Sequence, residues 1–374
     1  MRCAIVHYWL LGMRGGEKVV EELCRILPKP DIFTLFYDPD RISPLIRSHR
    51  VKASFLNPLR RHYRSLLPLM PLAVENFDLR GYDLVVSSES GPAKGVLTSS
   101  KTRHVCYCHT PMRYLWDLYP AYIREWTPSW KRLLLAPLGS YLRLWDASTA
   151  LRVDQFVANS HNVQQRIWKT YRRPSDIVHP PVSTERFYNA ASGDYYLIVS
   201  ELVAYKRIAD AVRCFTARGR RLKIVGLGPE YRRLRSMAGK TVEFCGRVSD
   251  DDLLHLYAHC RALLLPGEED FGIAPVEALA SGKPVIALGR GGVLESIPAI
   301  NPRAGFFYSE PGEYRLEQAV RSFERQEKEI SPATLQMHAA RFSRETFARE
   351  MSKLLFDRGP QRADSRVLDF KVGT

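Results

Sequence analysis

The stretch EEDFGIAPVEALASGKPVIA, residues 268–287, places two glutamates around the start of a short helix. An apolar strand candidate, Ala262–Leu265, runs into this acidic loop, so Glu269 precedes the helix and Glu277 lies about one turn inside it. Unpaired backbone N–H groups at the helix N-terminus favour an anion. Two carboxylates that bracket such a site could accept hydrogen bonds from sugar hydroxyls. Acids are also common at helix N-termini that bind nothing, so the stretch alone leaves both interpretations open.

Apolar runs alternate with amphipathic stretches along nearly the whole chain. Tandem prolines at 180 and 181 interrupt the alternation, which restarts at residue 195. This repetition of strand and helix predicts an α/β protein with two doubly wound, Rossmann-like domains that face one deep cleft. The strand candidates are Arg2–His7, Tyr82–Ser87, His104–Cys108, Gln155–Ala158, Tyr195–Ser200, Leu222–Gly226, Val242–Cys245, Ala262–Leu265 and Pro284–Leu288.

The composition is that of a globular protein, with 45% hydrophobic and 25% charged residues among 374. Lys and Arg exceed Asp and Glu by 55 − 40 = 15, which favours anionic partners such as nucleic acid, phosphorylated substrates or an acidic membrane. No apolar run approaches the roughly 18 residues needed to span a bilayer. Without a convincing signal peptide, the seven scattered cysteines predict reduced thiols in a cytoplasmic protein.

Two cysteines and a histidine stand close together in CYCHTPMRYLWD, residues 106–117, as they would in a zinc site. The Cys-x-Cys spacing is not the usual Cys-x2-Cys hook, and no partner pair occurs elsewhere in the chain. The alternation instead predicts a strand with Val105 and Tyr107 on one face and Cys106 and Cys108 on the other. His109 then ends the strand at the cleft.

Eight segments, in order along the chain, resemble retaining glycosyltransferases of family 4, which have the two-domain GT-B fold. The resemblance is closest to the branch rich in mannosyltransferases of bacterial surface polysaccharides. It implies an acceptor-side domain at residues 1–182, a sugar-nucleotide-binding domain at 183–342, and a C-terminal helix and tail at 343–374 that pack back toward the first domain. Besides the E-x7-E stretch, the matching segments are GMRGGEK, SSESGPAKG, CYCHTPMRYLWDLY, VSELVAYKR, GLGPE, FCGRVSDDDL and GRGGVLESI.

Carried over position by position, the resemblance implies a site for a sugar-nucleotide donor. Lys206 would neutralise the departing diphosphate, and His109 would lie beneath the donor sugar. Glu269 would hold hydroxyls of that sugar, and Glu277 the hydroxyls of the ribose. The remaining donor-binding residues that it implies are Gly15, Gly16, Glu201, Arg207, Gly226, Gly228, Arg247, Val248, Phe271, Gly272 and Ile273.

Glu201 departs from the family pattern, which usually has an arginine five residues before the lysine. A carboxylate beside a diphosphate is repulsive. We therefore expect either that Glu201 points away from the diphosphate or that Arg207 or Arg247 compensates its charge.

The resemblance implies no cofactor and no metal. The DPD sequence at 38–40 is more typical of a turn than of a metal-binding D-x-D, and SDDD at 249–252 is typical of a helix N-cap. Charge on the leaving group would then be neutralised by Lys206, backbone amides and a helix dipole.

The excess positive charge is concentrated in the first domain. Residues 41–64 contain seven Lys or Arg and no acid, interleaved with aromatic and aliphatic residues, and residues 122–145 are similarly mixed. Such a surface suits an anionic membrane that presents a lipid-linked acceptor, but it equally suits an ordinary solvated face. Nucleic acid is not expected, because no DNA- or RNA-binding motif accompanies the charge.

The sequence therefore predicts a retaining glycosyltransferase that moves a hexose, mannose from GDP-mannose by the branch resemblance, to a lipid-linked or oligosaccharide acceptor. We expect it in the cytoplasm, peripheral at the inner face of the membrane. The alternatives are a sugar-nucleotide epimerase or a phosphorylase on the same scaffold, and a non-catalytic anion-binding membrane protein.

Overall fold

A computed structural model describes residues 1–120, 129–297 and 304–357, with side chains described from residue 135 onward in the second range. Within these ranges the strands form two parallel sheets, one of seven strands and one of six. The structure thus confirms the expected α/β architecture of two doubly wound halves. The domain boundaries at 182 and 342 stay predictions, and both lie outside the strands of either sheet.

The first sheet has the order β3-β2-β1-β4-β5-β6-β7. Apolar side chains cover both of its faces, as expected for parallel strands between helices. Its strands are β1 Cys3–Leu10, β2 Asp31–Tyr37, β3 Val51–Ala53, β4 Leu84–Glu89, β5 Arg103–Cys108, β6 Gln155–Ala158 and β7 Ser175–Ile177.

The second sheet has the order β10-β9-β8-β11-β12-β13 and is likewise buried on both faces. Its strands are β8 Tyr195–Val199, β9 Arg221–Val225, β10 Val242–Gly246, β11 Leu263–Leu265, β12 Val285–Leu288 and β13 Gly305–Tyr308.

The helices cover both faces of the two sheets. A series of 3-10 turns at Asn57–Leu69 lies between β3 and the helix that begins at Met70. None of the helices within the described ranges has an apolar stretch that could cross a bilayer. The helices are α1 Gly15–Ile26, α2 Pro44–Arg47, α3 Met70–Glu75, α4 Ser129–Thr149, α5 His161–Tyr171, α6 Ile208–Arg218, α7 Tyr231–Ser236, α8 Asp250–His259, α9 Ile273–Ala280, α10 Val293–Ser296, α11 Glu313–Gln326, α12 Pro332–Ala339 and α13 Arg344–Phe356.

The strand order reverses between β1 and β4 in the first sheet and between β8 and β11 in the second. Loops on either side of such a reversal diverge, which leaves a crevice at the carboxyl ends of the strands. The glycine loop follows β1, the Glu201–Lys206 loop follows β8, and Glu269 follows β11. The fold therefore brings three separate sequence segments to two facing crevices.

Helix α13 returns to the first half of the molecule, as the sequence predicts. Phe347, Met351 and Leu355 are buried in the core around β1 and α1. Arg344 donates from Nε to a carboxylate oxygen of Glu22 in α1 at 2.6 Å. Residues 358–374 of the predicted tail lie outside the described residues.

Strand β5 has the two faces that its alternation predicts. Val105 and Tyr107 belong to the core beneath α1 and α13, whereas Cys106 and Cys108 belong to a separate core beneath α5. All seven cysteines are free, and in the described ranges no group of three or more His, Cys, Asp or Glu is placed to hold a metal ion. The two cysteines of CYCH are therefore packing residues.

A fully buried charge network lies behind β4 and β5. The Lys94 ammonium contacts the carboxylates of Asp146 and Glu89, and Asp146 also accepts hydrogen bonds from Trp116 Nε1 at 2.7 Å and the Tyr171 hydroxyl at 2.9 Å. Burial disfavours the Lys94 charge, but the two carboxylates outweigh it and raise the pKa of the ammonium. The network joins the loops after β4 and β5 to α4 and α5.

We expect Asp146→Asn to destabilise the first domain strongly, because it leaves a buried ammonium short of one carboxylate. Breaking one partner of a buried pair costs about 3–5 kcal/mol, which corresponds to a fall in melting temperature of about 10 °C. All six tryptophans lie at or before residue 168, so their fluorescence follows unfolding of this domain. Asp78→Asn, which breaks an exposed pair with Arg80, is the matched control. Equal melting temperatures for the two variants would contradict this account.

Candidate active site

A cavity of about 530 Å³ lies where the two crevices face each other. Arg14 and Gly15 from the first half form one wall, and loops after β8, β9, β10 and β11 form the others. Nine of the residues singled out from the sequence line it: Gly15, Glu201, Lys206, Gly226, Arg247, Val248, Glu269, Gly272 and Ile273.

Lys206 and Glu269 form an ion pair in the wall of this cavity. Burial disfavours the lysine charge, but the Glu269 carboxylate outweighs burial and raises the pKa of the ammonium. Gly267 permits the loops to meet, because a Cβ at this position would lie 2.6 Å from the Lys206 Cα. The cavity therefore holds a fixed positive and a fixed negative group side by side.

Glu277 is buried inside α9, whose N-cap Gly272 has the positive φ of 88° that glycine tolerates. One carboxylate oxygen accepts a hydrogen bond from the Tyr257 hydroxyl at 2.9 Å. The other pairs with Lys18 Nζ at 2.9 Å, across the cleft from α1. The Glu277 carboxylate accordingly raises the pKa of Lys18.

The glycine loop brings the N-terminus of α1 against the second half of the molecule. A Cβ at Gly15 would lie 2.9 Å from Ile273 Cδ1, and one at Gly16 would lie 2.8 Å from the Tyr8 hydroxyl. The Arg14 amide donates to the Glu17 carboxylate at 3.0 Å, and burial raises the pKa of Glu17 to about 7. Only glycine fits this contact without displacing its neighbours.

His109 follows β5 and is held from two sides. Its amide donates to the Glu89 carbonyl at 2.7 Å, and its Nε2 lies 2.8 Å from Ser88 Oγ. Ser88 Oγ in turn lies 3.0 Å from Nδ1 of His7. Burial lowers the pKa of His109 to about 4 and that of His7 well below its usual value. Both imidazoles are therefore neutral at neutral pH.

Glu201 neither points away from the cavity nor pairs with its expected neighbours. It lies within 3.4 Å of both Arg14 Nη1 and Arg64 Nη2, two arginines of the first half. Arg207 instead donates to Asp210, three residues further on, at 2.9 Å. The expectation that Arg207 compensates Glu201 is thus wrong, because the local pair at the start of α6 takes its guanidinium.

Phe271 and Gly228 also stand back from the cavity, and Gly16, His109 and Glu277 are likewise not among the residues that line it. The Phe271 side chain is buried and stacks on His179 with ring centroids 5.2 Å apart, and Phe271 is not among the residues that line the cavity. Gly228 packs on the Leu202 carbonyl, which a Cβ would approach to 2.3 Å. It supports the loop after β9 and is not among the lining residues.

Sequence reasoning missed five residues that complete the arrangement: His7, Arg14, Lys18, Ser88 and Tyr257. Arg14 and Lys18 lie within the quoted GMRGGEK, and Ser88 within SSESGPAKG, but only the glycines of the first segment were assigned a role. Basic residues that flank a glycine loop were the available signal. Nothing local marks Tyr257 or His7.

Comparisons with known families agree with this geometry. The sequence model described as "Glycosyltransferase Family 4" matches residues 13–186, and that described as "Glycosyl transferases group 1" matches residues 184–341. Together they span both halves of the cleft. The chain is therefore a glycosyltransferase of the GT-B fold. It belongs to the glycosyltransferases of the family 4 type.

Curated relatives match only in part. The uncharacterized glycosyltransferase MJ1178 of Methanocaldococcus jannaschii is 25% identical over 149 residues, which are 38% of this chain and 42% of that protein. The alpha-1,3/1,6-mannosyltransferase ALG2 of Homo sapiens is 34% identical over 102 residues, 26% of this chain and 24% of the relative. The chain thus spans less than half the length of each of these relatives.

Solved structures match over nearly the whole chain and show the fold. Sucrose-phosphate synthase from Thermosynechococcus elongatus has a TM-score of 0.71 at 17% identity, with 95% of this chain and 98% of that chain covered. Anabaena Alr3699/HepE in complex with UDP and glucose has a TM-score of 0.67 at 16% identity, with 94% and 98% covered.

We expect that ionisation of His109 does not contribute to the pH dependence of turnover between about pH 5.5 and 8. Because burial holds its pKa near 4, the ring stays neutral until acidification approaches that value. His109→Asn should lower kcat/KM by about tenfold to a hundredfold through lost contacts, with a profile parallel to that of the wild type. The exposed His255→Asn serves as the control. The assignment of a neutral ring would be refuted if the wild-type pH profile showed a limb with a midpoint near pH 6.5 and the His109→Asn profile did not.

Proposed function

We propose that the chain is a retaining hexosyltransferase that takes mannose from GDP-mannose and passes it to a lipid-linked or oligosaccharide acceptor. The supporting observation is that Lys206 and Glu269 pair in the wall of one cavity opposite the N-terminus of α1. Glu277, in the adjoining helix α9, pairs with Lys18 of α1. Cationic and hydrogen-bond-accepting groups there match the diphosphate and the hydroxyls of a sugar nucleotide. Mannose as the sugar rests on the branch resemblance and on the partial match to ALG2, which is named as a mannosyltransferase.

The proposed roles follow from position. Residues 183–342 hold the donor, with the diphosphate between Lys206 and the α1 N-terminus. Glu277 accepts hydrogen bonds from the ribose and Glu269 from the hexose. Arg247 and Val248, with Gly226, flank the base, and backbone N–H groups around Gly272 complete the pocket. Residues 1–182 face the acceptor.

In the proposed reaction, the acceptor hydroxyl attacks the anomeric carbon on the face from which the nucleotide leaves. The bond between this carbon and the phosphate oxygen breaks as the new glycosidic bond forms. The departing phosphate oxygen takes the proton of the acceptor hydroxyl. Lys206 and the α1 amides stabilise charge on the leaving group, and neutral His109 lies beneath the sugar where positive charge develops. Lys206 and the α1 amides belong to the protein itself, so the proposal needs no cofactor.

The acceptor side carries a candidate membrane surface. Phe55, Leu59, Leu69 and Leu72 are exposed by 45% to 62%, and they lie in or beside the basic segment 41–64. Apolar side chains among arginines suit the boundary of an anionic bilayer. We propose that this surface, called the 41–72 surface below, docks the enzyme where a lipid-linked acceptor is presented. The other mixed segment, 122–145, lies partly outside the described residues.

Nucleotide recognition tests the donor proposal. In a thermal-shift screen of GDP, UDP, ADP and their sugars, GDP and GDP-mannose should raise the melting temperature most, because they bind the folded state. With GDP-mannose and a lipid-linked acceptor, Lys206→Met and Glu269→Gln should each reduce kcat by about 10²–10³. Stabilisation by UDP or ADP alone would refute the guanine assignment. Conversion of the donor without any acceptor would instead indicate an epimerase, which no comparison favours.

Vesicle sedimentation tests the 41–72 surface. Wild-type protein should bind vesicles that contain phosphatidylserine better than neutral ones, and salt should weaken this binding because the attraction is screened. Leu59→Ser with Leu72→Ser should reduce binding about tenfold. The matched control is Met337→Ser, an exposed apolar residue on α12. Equal binding by the double variant and the wild type would refute the membrane role of this surface.

A further inference from the structure

The Glu201 carboxylate contacts two arginines from the opposite half of the molecule. Its carboxylate follows β8, whereas Arg14 caps α1 and Arg64 lies in the 3-10 turns after β3. Each guanidinium approaches a different carboxylate oxygen to 3.4 Å. The three groups together carry a net charge of +1, so the acid at position 201 does not leave this edge of the cavity negative.

Arg14 is placed by its own backbone. Its amide donates to the buried Glu17, and the next residue, Gly15, packs directly on Ile273. The backbone of Arg14 is therefore held in place, and its side chain lines the same cavity as Lys206. The Glu201 carboxylate contacts the Arg14 guanidinium at 3.4 Å.

The cations of the cavity come from different halves. Lys206 and Arg247 belong to the second half. Lys206 is neutralised by Glu269, and Arg247 lies in the loop after β10, which the proposed function assigns to the base. Arg14 belongs to the first half and reaches the cavity only where the two halves approach, as Gly15 and Ile273 do. A bound diphosphate carries more negative charge than one lysine can neutralise, and guanidinium groups bind phosphate oxygens in bidentate fashion.

We propose that Arg14 is the second cation for the donor diphosphate and that Glu201 is its positioning residue. The inference rests on the proposed function, since it concerns the same donor site. Binding of the diphosphate then joins the two halves, because one of its cations lies on each. Glu201 directs the guanidinium to the cavity instead of repelling the ligand.

The test compares a diphosphate with the nucleoside that lacks it. By calorimetry, Arg14→Ala should weaken GDP binding by about tenfold to a hundredfold and leave guanosine binding within about twofold, with UDP and uridine run in parallel. Glu201→Gln should weaken GDP binding less, by a few fold, because the guanidinium remains but is no longer directed. Arg80→Ala, which removes an exposed, carboxylate-paired arginine of the same half, controls for net charge.

A second variant separates charge from structure. Arg14→Ala with Glu201→Arg returns a guanidinium to the cavity from the other half, and it should recover GDP affinity relative to Arg14→Ala alone. Measured by X-ray scattering with GDP bound, the radius of gyration should be smaller for the wild type than for this double variant.

Three outcomes would overturn the proposal. These are unchanged GDP binding in Arg14→Ala, an equal loss of GDP and guanosine binding, or no recovery in the double variant. Failure of the proposed function is distinct, because wild-type protein would then bind none of the nucleotides.

Discussion

A buried carboxylate that bridges the two halves of the molecule is the interaction on which the closed cleft depends. Glu277 is almost inaccessible to water, and an ionised group in such a place needs partners. Tyr257 supplies one from the same half and Lys18 the other from across the cleft. The backbone amides of His161 and Asn162 at the start of α5 donate to Glu295 at 2.7 and 2.9 Å in the same way. The halves thus meet through polar contacts at the carboxyl ends of their strands, where ligands bind in doubly wound folds.

The sequence predicts the strands that lie deep in each sheet, and it misses most of those at the edges. Central strands such as β4, β5 and β8 are continuous apolar runs, because helices cover both of their faces. The edge strands β3 and β7 have only three partly exposed residues each, so they lack such a run and form because a neighbouring strand pairs with them. Strand β2, with the sequence DIFTLFY, carries the usual signal and was within reach of prediction.

The same distinction applies to the site: some of its residues are marked by local sequence patterns, whereas others depend on contacts between residues far apart in the chain. Glu269, Glu277 and Lys206 lie within segments that the family resemblance singles out. The structure pairs Lys206 with Glu269 in the cavity wall and places Glu277 in the adjoining helix α9. The contacts across the cleft are distant in sequence: 259 residues separate Lys18 from Glu277, and 187 separate Arg14 from Glu201. Neighbours in sequence mislead here, because Arg207 beside Lys206 satisfies Asp210 in its own helix. Which cation of one half faces which acid of the other depends on how the halves meet, and no local pattern encodes that.

The pairing of Lys206 with Glu269 constrains the kind of ligand that the cavity accepts. Without a ligand, each group neutralises the other, which avoids the cost of a buried unpaired charge. A phosphate alone would take the lysine and leave the carboxylate without a partner, whereas a free sugar would take the carboxylate and leave the ammonium. A ligand that carries an anion next to hydroxyl groups can satisfy both ends when it splits the pair. With the roles proposed for Lys206 and Glu269, the ion pair would favour an intact sugar nucleotide over either of its parts, and transfer of the sugar would return the two residues to each other as the products leave.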